Sequence, residues 1–217
     1  MDIFWYGQSC VRIRGKNASV VFDPFDPQFV GFKAPKISAD IVTVSHAHQD
    51  HNNVDLVTGA TEGQSPFVIS GPGEYGVLGV SVFGISTFHD KKNGAERGRN
   101  TLYQITIDGI TFLHCGDLGH RLTDEYLREL ADIDVLFIPV GGGYTIDGVE
   151  AAEVVAELEP SIVIPIHYRV EGLKFPLDPV DKFLKAVGSE NVAAVAKLTI
   201  SKDKLPEETQ VVVLEKQ

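Results

Sequence analysis

The central motif of this sequence is His46-Ala47-His48-Gln49-Asp50-His51, which directly follows the apolar run Ile41-Val42-Thr43-Val44. Histidine and aspartate form strands poorly, and a buried charge is costly without a partner, so this dense cluster needs a physical reason. Neutral imidazole and carboxylate groups are good ligands for zinc and similar ions. The motif therefore predicts a metal site at the end of a buried strand. The alternative is a polar loop in which three of the seven histidines meet by chance.

The spacing within the motif predicts two metal positions. Alternate side chains of an extended backbone point the same way, so we expect His46 and His48 to converge on one ion. The chain is then expected to turn, which lets Asp50 and His51 reach a second point a few ångströms away.

The composition is ordinary for a soluble globular protein. A chain of 217 residues, 43% hydrophobic and 23% charged, is long enough to bury the core of one domain, and we expect a single domain over residues 1–217. There is no apolar run of membrane-spanning length and no basic leader at the N-terminus, so we expect a cytoplasmic protein. Cys10 and Cys115 match neither a disulfide framework nor a Cys-x-x-Cys site, and we expect both to be buried free thiols.

The charge distribution disfavours nucleic acid as a partner and includes one basic segment. A formal net charge of −11 argues against a large nucleic-acid footprint, and it leaves open whether the chain forms a homo-oligomer. Residues 89–99 nevertheless contain four basic and two acidic side chains. This segment is either a solvated loop or a place where Arg97 and Arg99 hold an anionic substrate.

The hydrophobic pattern predicts a β-rich first half and an alternation of strands and helices in the second half. We expect strands over residues 3–6, 11–14, 19–22, 41–45, 67–70, 80–88, 101–107, 111–114, 135–140, 162–166 and 210–214. Helices are expected over 124–131, 148–159 and 179–187, the second of them capped by Asp147 with Glu150. Asp108-Gly109 predicts a tight hairpin turn. The proline-rich residues 23–39 are expected to form a long surface loop.

The motif resembles the signature of the metallo-β-lactamase superfamily, which is His-x-His-x-Asp-His after a buried strand, and the four ligand positions match completely. Other segments are similar to small bacterial and archaeal metal-dependent hydrolases related to ascorbate-6-phosphate lactonase: residues 3–10, Asp23-Pro24, residues 71–75 and residues 165–168. The resemblance implies a four-layer αββα sandwich within the α/β (α+β) class.

Three later residues are candidates for the remaining ligands. His89 and His167 each follow an apolar strand, and Asp117 follows a strand that ends in glycine. The resemblance implies that His46, His48 and His89 bind one ion, that Asp50, His51 and His167 bind the other, and that Asp117 bridges them. The alternatives are an exposed loop histidine at position 89 and a helix-capping carboxylate at position 117.

Four further side chains have open roles. His114 is either a partner of a metal ligand or a packed core histidine, and His120 is expected near the cleft mouth. Glu74 is either a turn carboxylate or a hydrogen-bond partner of a ligand imidazole. Tyr144 follows Gly141-Gly142-Gly143, a run that lets backbone approach a ligand closely, and we expect its hydroxyl to project toward the substrate.

The function implied by the resemblance is metal-dependent hydrolysis of a small, anionic ester, lactone or phosphoester. Two divalent ions, zinc by default and manganese or iron as alternatives, share a bridging hydroxide that Asp50 orients. One alternative is a phosphodiesterase or nuclease, which the net charge and the lack of an appended RNA-binding segment disfavour. A redox di-iron enzyme is also disfavoured, because that branch has glutamate where this chain has His48. The remaining alternative is a non-catalytic metal-binding scaffold.

Overall fold

A computed structural model describes all of residues 1–217. Its fifteen strands are β1 (Asp2–Gly7), β2 (Cys10–Arg14), β3 (Ser19–Phe22), β4 (Ile37–Ala39), β5 (Ile41–Val44), β6 (Val57–Gly59), β7 (Phe67–Ser70), β8 (Gly73–Val77), β9 (Val80–Phe88), β10 (Arg99–Ile107), β11 (Ile110–His114), β12 (Val135–Pro139), β13 (Ile162–Ile166), β14 (Leu198–Thr199) and β15 (Gln210–Val211). Its four α-helices are α1 (Pro27–Val30), α2 (Asp124–Glu129), α3 (Gly148–Leu158) and α4 (Asp181–Ala186).

Two mixed sheets form the body of the molecule. The first sheet has the strand order β14-β1-β2-β3-β5-β7, and the second has the order β15-β13-β12-β11-β10-β9-β8. Strands β4 and β6 form a separate two-stranded sheet. The two-sheet arrangement confirms the predicted sandwich architecture, and the expected strands of both halves are present.

Successive side chains in the first sheet point to opposite faces, and both faces are packed. Val20 and Phe22 of β3 point into the large core shared with the second sheet, whereas Val21 packs into a smaller core on the opposite face. Buried side chains of α3 and α4, including Val154 and Phe183, cover the second sheet. No helix has the length and apolar character needed to cross a membrane.

Residues 23–39 do not form the surface loop that the sequence predicted. They contain the short helix α1 and strand β4, and Phe25, Val30 and Ile37 are buried in the smaller core. The prolines suppress a regular periodicity, but the apolar side chains between them are needed to cover the outer face of the first sheet. On that side, a short helix and a two-stranded sheet therefore take the place of long helices.

Two local sequence predictions agree with the structure, namely a hairpin turn and a helix cap. Asp108 and Gly109 both have positive φ, at 50° and 78°, as the tight β10–β11 hairpin turn requires. Asp147 accepts hydrogen bonds from two backbone amides at the start of α3, and Glu150 accepts one from the Asp147 amide, which completes the capping box. Strand β8 was not predicted, because only its proline-glycine turn was visible in the sequence.

Strand direction places the loops that carry the predicted ligand residues at one edge of each sheet. In the first sheet, β3 and β5 are parallel, and β1 runs the same way because both β1 and β3 are antiparallel to β2. In the second sheet, β11, β12 and β13 are parallel, and β9 shares their direction through β10. The loops after β1, β3, β5, β9, β11 and β13 consequently lie at the carboxyl ends of their strands, where ligands bind in open α/β sheets.

Candidate metal centre

Seven histidine and aspartate side chains from four strand ends converge in space. The loop after β5 supplies His46, His48, Asp50 and His51, while His89 follows β9, Asp117 follows β11 and His167 follows β13. Their donor atoms form two groups, each with all members within 4.8 Å of one another: His46, His48 and His89 in the first group, and Asp50, His51, Asp117 and His167 in the second. All seven sequence-predicted donors are thus brought together.

The distances between donor atoms suit shared metal ions. Ligands of a tetrahedral zinc at about 2.0–2.1 Å lie on the order of 3.3 Å from one another. In the first group, His46 Nε2 lies 3.0 Å from His48 Nδ1. In the second group, His51 Nε2 lies 3.2 Å from Asp117 Oδ2 and 3.4 Å from Asp50 Oδ2.

Asp117 lies between the two groups. Its Oδ2 is 3.2 Å from His89 Nε2 on one side and 3.2 Å from His51 Nε2 on the other, and its Oδ1 is 3.5 Å from His167 Nε2. Its backbone amide donates to Asn100 Oδ1 at 3.0 Å, and the next helix, α2, begins at Asp124 after Thr123, so Asp117 does not serve as a helix cap. One carboxylate that contacts both sets of imidazoles has the position a bridging ligand needs.

The sequence predicted an extended backbone from His46 to His48 and a turn after it, and the structure shows the turn but not the extended segment. Strand β5 ends at Val44, and residues 45–51 form a series of bends in which the His51 amide donates to the His48 carbonyl at 3.0 Å. His46 and His48 still meet, because the bend brings their rings to a centroid distance of 4.5 Å. The compact loop also lets Asp50 and His51 turn back toward the second group.

Buried carboxylates at this site require a positive charge. Asp23, Asp50 and Asp117 surround the His51 ring, whose Nδ1 lies 2.9 Å from Asp23 Oδ2. Burial lowers the pKa of His51, but Asp117 and Asp50 outweigh it and raise that pKa well above its usual value. His51 Nε2 is buried, faces two carboxylates and has no hydrogen-bond partner. A cation at this point satisfies all of these groups, so the donor set fits a bound metal ion.

Two imidazoles of the first group, those of His46 and His89, are neutral near pH 7. Burial, together with the neighbouring His51, lowers the pKa of His46 to about 3. Burial likewise lowers the pKa of His89 to about 4. A metal ion binds the deprotonated ring, so no proton has to be displaced from these two residues near neutral pH.

Asp23 orients two of the ligands and was missed as a functional residue. It accepts a hydrogen bond from Ser45 Oγ at 2.6 Å and contacts His51 Nδ1 directly. Since Ser45 uses its only hydroxyl proton on Asp23, it must accept from His46 Nδ1, which lies 3.0 Å away. The Nε2 lone pairs of both rings therefore face the cluster, as ligation requires. In the sequence, Asp23-Pro24 contributes to the family resemblance and carries no local signal of this role.

Gln8 is a second residue that sequence reasoning missed. It is 1% exposed, at the end of β1, and its Nε2 lies 3.2 Å from Asp50 Oδ2 and 3.3 Å from His167 Nε2. Its side-chain oxygen Oε1 is buried without a hydrogen-bond partner. A glutamine in a β-turn segment carries no local signal of this role.

The two glycines flanking Asp117 allow close packing of the ligand strands. A Cβ at Gly116 would lie 2.5 Å from Asn100 Oδ1, and a Cβ at Gly119 would lie 2.2 Å from the Asp90 backbone nitrogen. The Gly119 amide also donates to the Phe88 carbonyl at 3.0 Å. Strand ends that carry His89 and Asp117 can approach each other only where no side chain intervenes.

The remaining histidines and Glu74 lie outside the donor cluster. His114 is buried against the Phe22 ring at 4.6 Å, and its Nε2 is 2.8 Å from the Ser9 carbonyl, so it is a packed core residue that supports the loop beside Asp117. His120 accepts from the Phe88 amide at 3.3 Å. Glu74 is exposed on β8 and bonds to no ligand imidazole. Cys10 and Cys115 are buried free thiols, as expected.

The donors open onto a cleft of about 440 Å³. Arg97 and Tyr144 both line it, with the Arg97 guanidinium 4.5 Å above the Tyr144 ring. Arg99 lines an adjoining depression with Ser86, to which it donates at 3.2 Å. The triple-glycine segment packs against protein: a Cβ at Gly141 would lie 2.3 Å from the His167 carbonyl. The absence of a side chain at Gly141 therefore allows two loops of the protein to approach each other closely.

Comparisons with known proteins agree with the site. A family model described as a β-lactamase superfamily domain matches residues 2–167. A UPF0173 metal-dependent hydrolase of Thermococcus onnurineus is 30% identical over 220 residues, covering 91% of this chain and 96% of the relative. One from Bacillus velezensis is 28% identical over 201 residues, covering 77% and 85%.

A solved structure gives the same family. A candidate Zn-dependent hydrolase of the metallo-β-lactamase superfamily from Thermotoga maritima is 39% identical, has a TM-score of 0.79, and matches 98% of this chain and 97% of its own. With the fold and the donor cluster described above, these similarities show that the chain belongs to the metallo-β-lactamase superfamily as a metal-dependent hydrolase.

Proposed function

We propose that the chain hydrolyses a small, anionic ester, lactone or phosphoester at a dinuclear centre, with zinc as the preferred metal and manganese or iron as alternatives. The observation that carries this proposal is the pair of donor groups that share Asp117 and open onto one cleft. His46, His48 and His89 would hold one ion, and Asp50, His51 and His167 the other. Imidazole-rich sets of this kind suit zinc.

The metal ions and the protein side chains would contribute different parts of the hydrolytic reaction. Divalent ions held at these donors would lower the pKa of bound water and so supply hydroxide near neutral pH. Ester hydrolysis then forms a bond between the water oxygen and the acyl carbon, breaks the bond from that carbon to the leaving oxygen, and transfers a proton to the leaving group. No serine or cysteine nucleophile is required.

Asp50 and Gln8 orient the reacting water. Gln8 Nε2 holds Asp50 Oδ2 at 3.2 Å, and no hydrogen bond engages the other oxygen, Oδ1. Asp50 lines the cleft, so its Oδ1 is available to accept a hydrogen bond from the attacking water. Asp50 is thus both a metal ligand and the residue that directs the nucleophile.

Arg97 supports an anionic substrate. It lines the cleft and forms no ion pair with any carboxylate, although acidic residues outnumber basic ones by 30 to 19 in the chain. A guanidinium recognises carboxylate or phosphate through parallel hydrogen bonds. The resemblance to the lactonase-related hydrolases agrees with a sugar-phosphate lactone as one substrate of this class.

Elemental analysis of the purified protein tests the metal centre. We expect about two ions per chain in the natural protein. Most of that metal should be lost in His48→Ala and retained in Gln49→Ala, which changes an exposed neighbour in the same loop. Hydrolysis of ester, lactone and phosphoester probes should follow the metal content. Near-zero metal in the natural protein, with no activity on adding zinc or manganese, would support a non-catalytic scaffold instead.

A further inference from the structure

We propose that the substrate of this centre carries a flat apolar group, best an aromatic ring, in addition to its anionic group. The inference rests on the proposed hydrolytic function and names the class of substrate. The ring would lie against Phe29, Tyr144 and Phe175, here called the aromatic wall, with the anionic group at Arg97. Nothing in the metal chemistry itself requires such a wall.

The aromatic wall is continuous and lines the cleft. The rings of Phe29 and Phe175 lie 5.3 Å apart, and the rings of Phe175 and Tyr144 lie 6.5 Å apart in an edge-to-face arrangement. Arg97 lies over the free end of the row, at Tyr144. Metal donors and Gln8 line the same cleft. A molecule bound in the cleft can therefore contact both the metal centre and the aromatic wall.

Phe29 is available to a ligand rather than needed by the core. It is 40% exposed, whereas Val30, the next residue of α1, is fully buried in the smaller core. Asp26 caps the helix through the Gln28 and Phe29 amides, so the ring is held at the cleft by a fixed backbone. An exposed aromatic ring on a short, well-anchored helix is typical of a binding surface.

The two segments that carry the phenylalanines are fastened together. The Lys174 amide donates to the Val30 carbonyl at 3.0 Å, and Lys174 Nζ donates to the Gln28 carbonyl at 2.6 Å. Gly31 and Gly172 are packed so closely that a Cβ at Gly31 would lie 2.5 Å from the Gly172 carbonyl. This wall is formed before the substrate arrives, which reduces the ordering cost of binding.

The Arg97 end of the wall is also held in place. The Asp90 carboxylate accepts four backbone hydrogen bonds across residues 92–97, including one from the Arg97 amide at 2.8 Å. Lys91 pairs with Glu150 at the start of α3, which joins this loop to the helix that follows Tyr144. A stacked guanidinium keeps its N–H edge free for an anion, so ring and charge are recognised side by side.

The test uses a matched pair of acetate esters that differ in ring shape. The probes are 4-(acetoxymethyl)benzoate and trans-4-(acetoxymethyl)cyclohexanecarboxylate, which have the same acyl group, the same charge and similar leaving groups. Contacts between aromatic rings add to binding beyond the apolar area that they bury, and a tenfold change in affinity corresponds to about 1.4 kcal/mol. We therefore expect a preference of roughly tenfold for the flat ring, expressed in KM.

Three variants test which residues are responsible for the preference for the flat ring and for the anionic group. The double variant Phe29→Ala/Phe175→Leu should lose the preference for the flat ring while it keeps the metal content of the natural protein. Arg97→Gln should weaken binding of the benzoate ester relative to neutral benzyl acetate. Phe67→Ala, which removes another exposed ring on β7 away from the cleft, should change neither comparison.

Binding of the product alcohols gives a readout that does not depend on turnover. By calorimetry or NMR, 4-(hydroxymethyl)benzoate should bind the natural protein more tightly than its cyclohexane counterpart, and the double variant should not distinguish them. Equal binding of both alcohols to the natural protein, or an unchanged preference in the double variant, would overturn the aromatic inference. A protein that holds two metal ions and cleaves both esters equally would keep the proposed function and lose only this inference.

Discussion

At the scale of single residues, the site is held by backbone conformations that its residues rarely adopt. Gln8, Asp23 and His167 have positive φ values of 48°, 44° and 49°. A left-handed backbone costs a residue with a side chain roughly 1–2 kcal/mol. The Gln8 carbonyl compensates by accepting hydrogen bonds from Trp5 Nε1 at 2.8 Å and from the His167 amide at 3.0 Å. At these three positions, the strained backbone directs a side chain toward the metal donors.

Replacing Asp23 with alanine should weaken metal binding. The carboxylate sets the ring orientation of His51 directly and of His46 through Ser45, and loss of such a partner typically lowers affinity about 10–100-fold. The measurement is a competitive metal titration of Asp23→Ala.

Asp40→Ala is the matched control for this substitution. Asp40 accepts from the amide and hydroxyl of Ser19, just as Asp23 accepts from those of Ser45, but it lies away from the donors. The Asp40→Ala substitution should lower the stability of the protein without changing its metal affinity. Equal losses of affinity in both variants would show that the effect of Asp23 is only structural.

At the scale of secondary structure, the site depends on strands that approach one another closely at their carboxyl ends. Gly119, after β11, touches the backbone at His89 and Asp90, after β9. The contact sets the separation between the loops that supply His89 and Asp117. Parallel strand ends supply donors at one edge, and the glycines determine how near those donors come.

Gly119→Ala should therefore separate the two loops. A Cβ only 2.2 Å from a backbone nitrogen forces a shift of the main chain, and overpacking of this kind costs about 1–3 kcal/mol. We expect a lower melting temperature together with a lower metal content. Gly76→Ala on β8 is the control, since its Cβ would meet nothing within 4 Å. Unchanged metal content in a folded Gly119→Ala protein would contradict the argument.

At the scale of the whole molecule, the donors come from both sheets. His46, His48, Asp50 and His51 follow a strand of the first sheet, whereas His89, Asp117 and His167 follow strands of the second. Each of the two donor groups contains residues that follow strands of both sheets. Bound ions would join the two halves of the sandwich at the open end of their shared core.

Removing metal should accordingly lower stability. A ligand at a thousand times its Kd stabilises the folded state by about 4 kcal/mol, which corresponds to roughly 8–16 °C in Tm for a chain of this size. The measurement is thermal unfolding with and without a chelator at several free zinc concentrations. His48→Ala should show a much smaller shift. A Tm that is independent of metal in the natural protein would argue against ions that join the sheets.

The departures from the sequence predictions have identifiable physical causes. Residues 23–39 have little periodicity because they pack against neighbours distant in the chain, so local patterns carry no signal. Strand β8 pairs with the adjacent strand β9, and it was missed because its glycine-rich sequence is typical of a turn. Residues 46–48 were expected to be extended ahead of a turn, yet the chain already bends at residue 45, and its side chains meet groups from the other sheet. The core strands and the capping box were predicted correctly because periodicity and capping act within a few residues.

The sequence by itself determined the chemical types of the donors and their positions after buried strands, since donor identity and strand pattern are local properties. Only the tertiary structure decided which groups surround those donors. Gln8 reaches Asp50 across 42 positions, Asp23 reaches His51 across 28, and Phe29 meets Phe175 from another loop. These contacts arise when two sheets and their loops pack, and no short-range pattern encodes a distance between side chains that far apart in the chain.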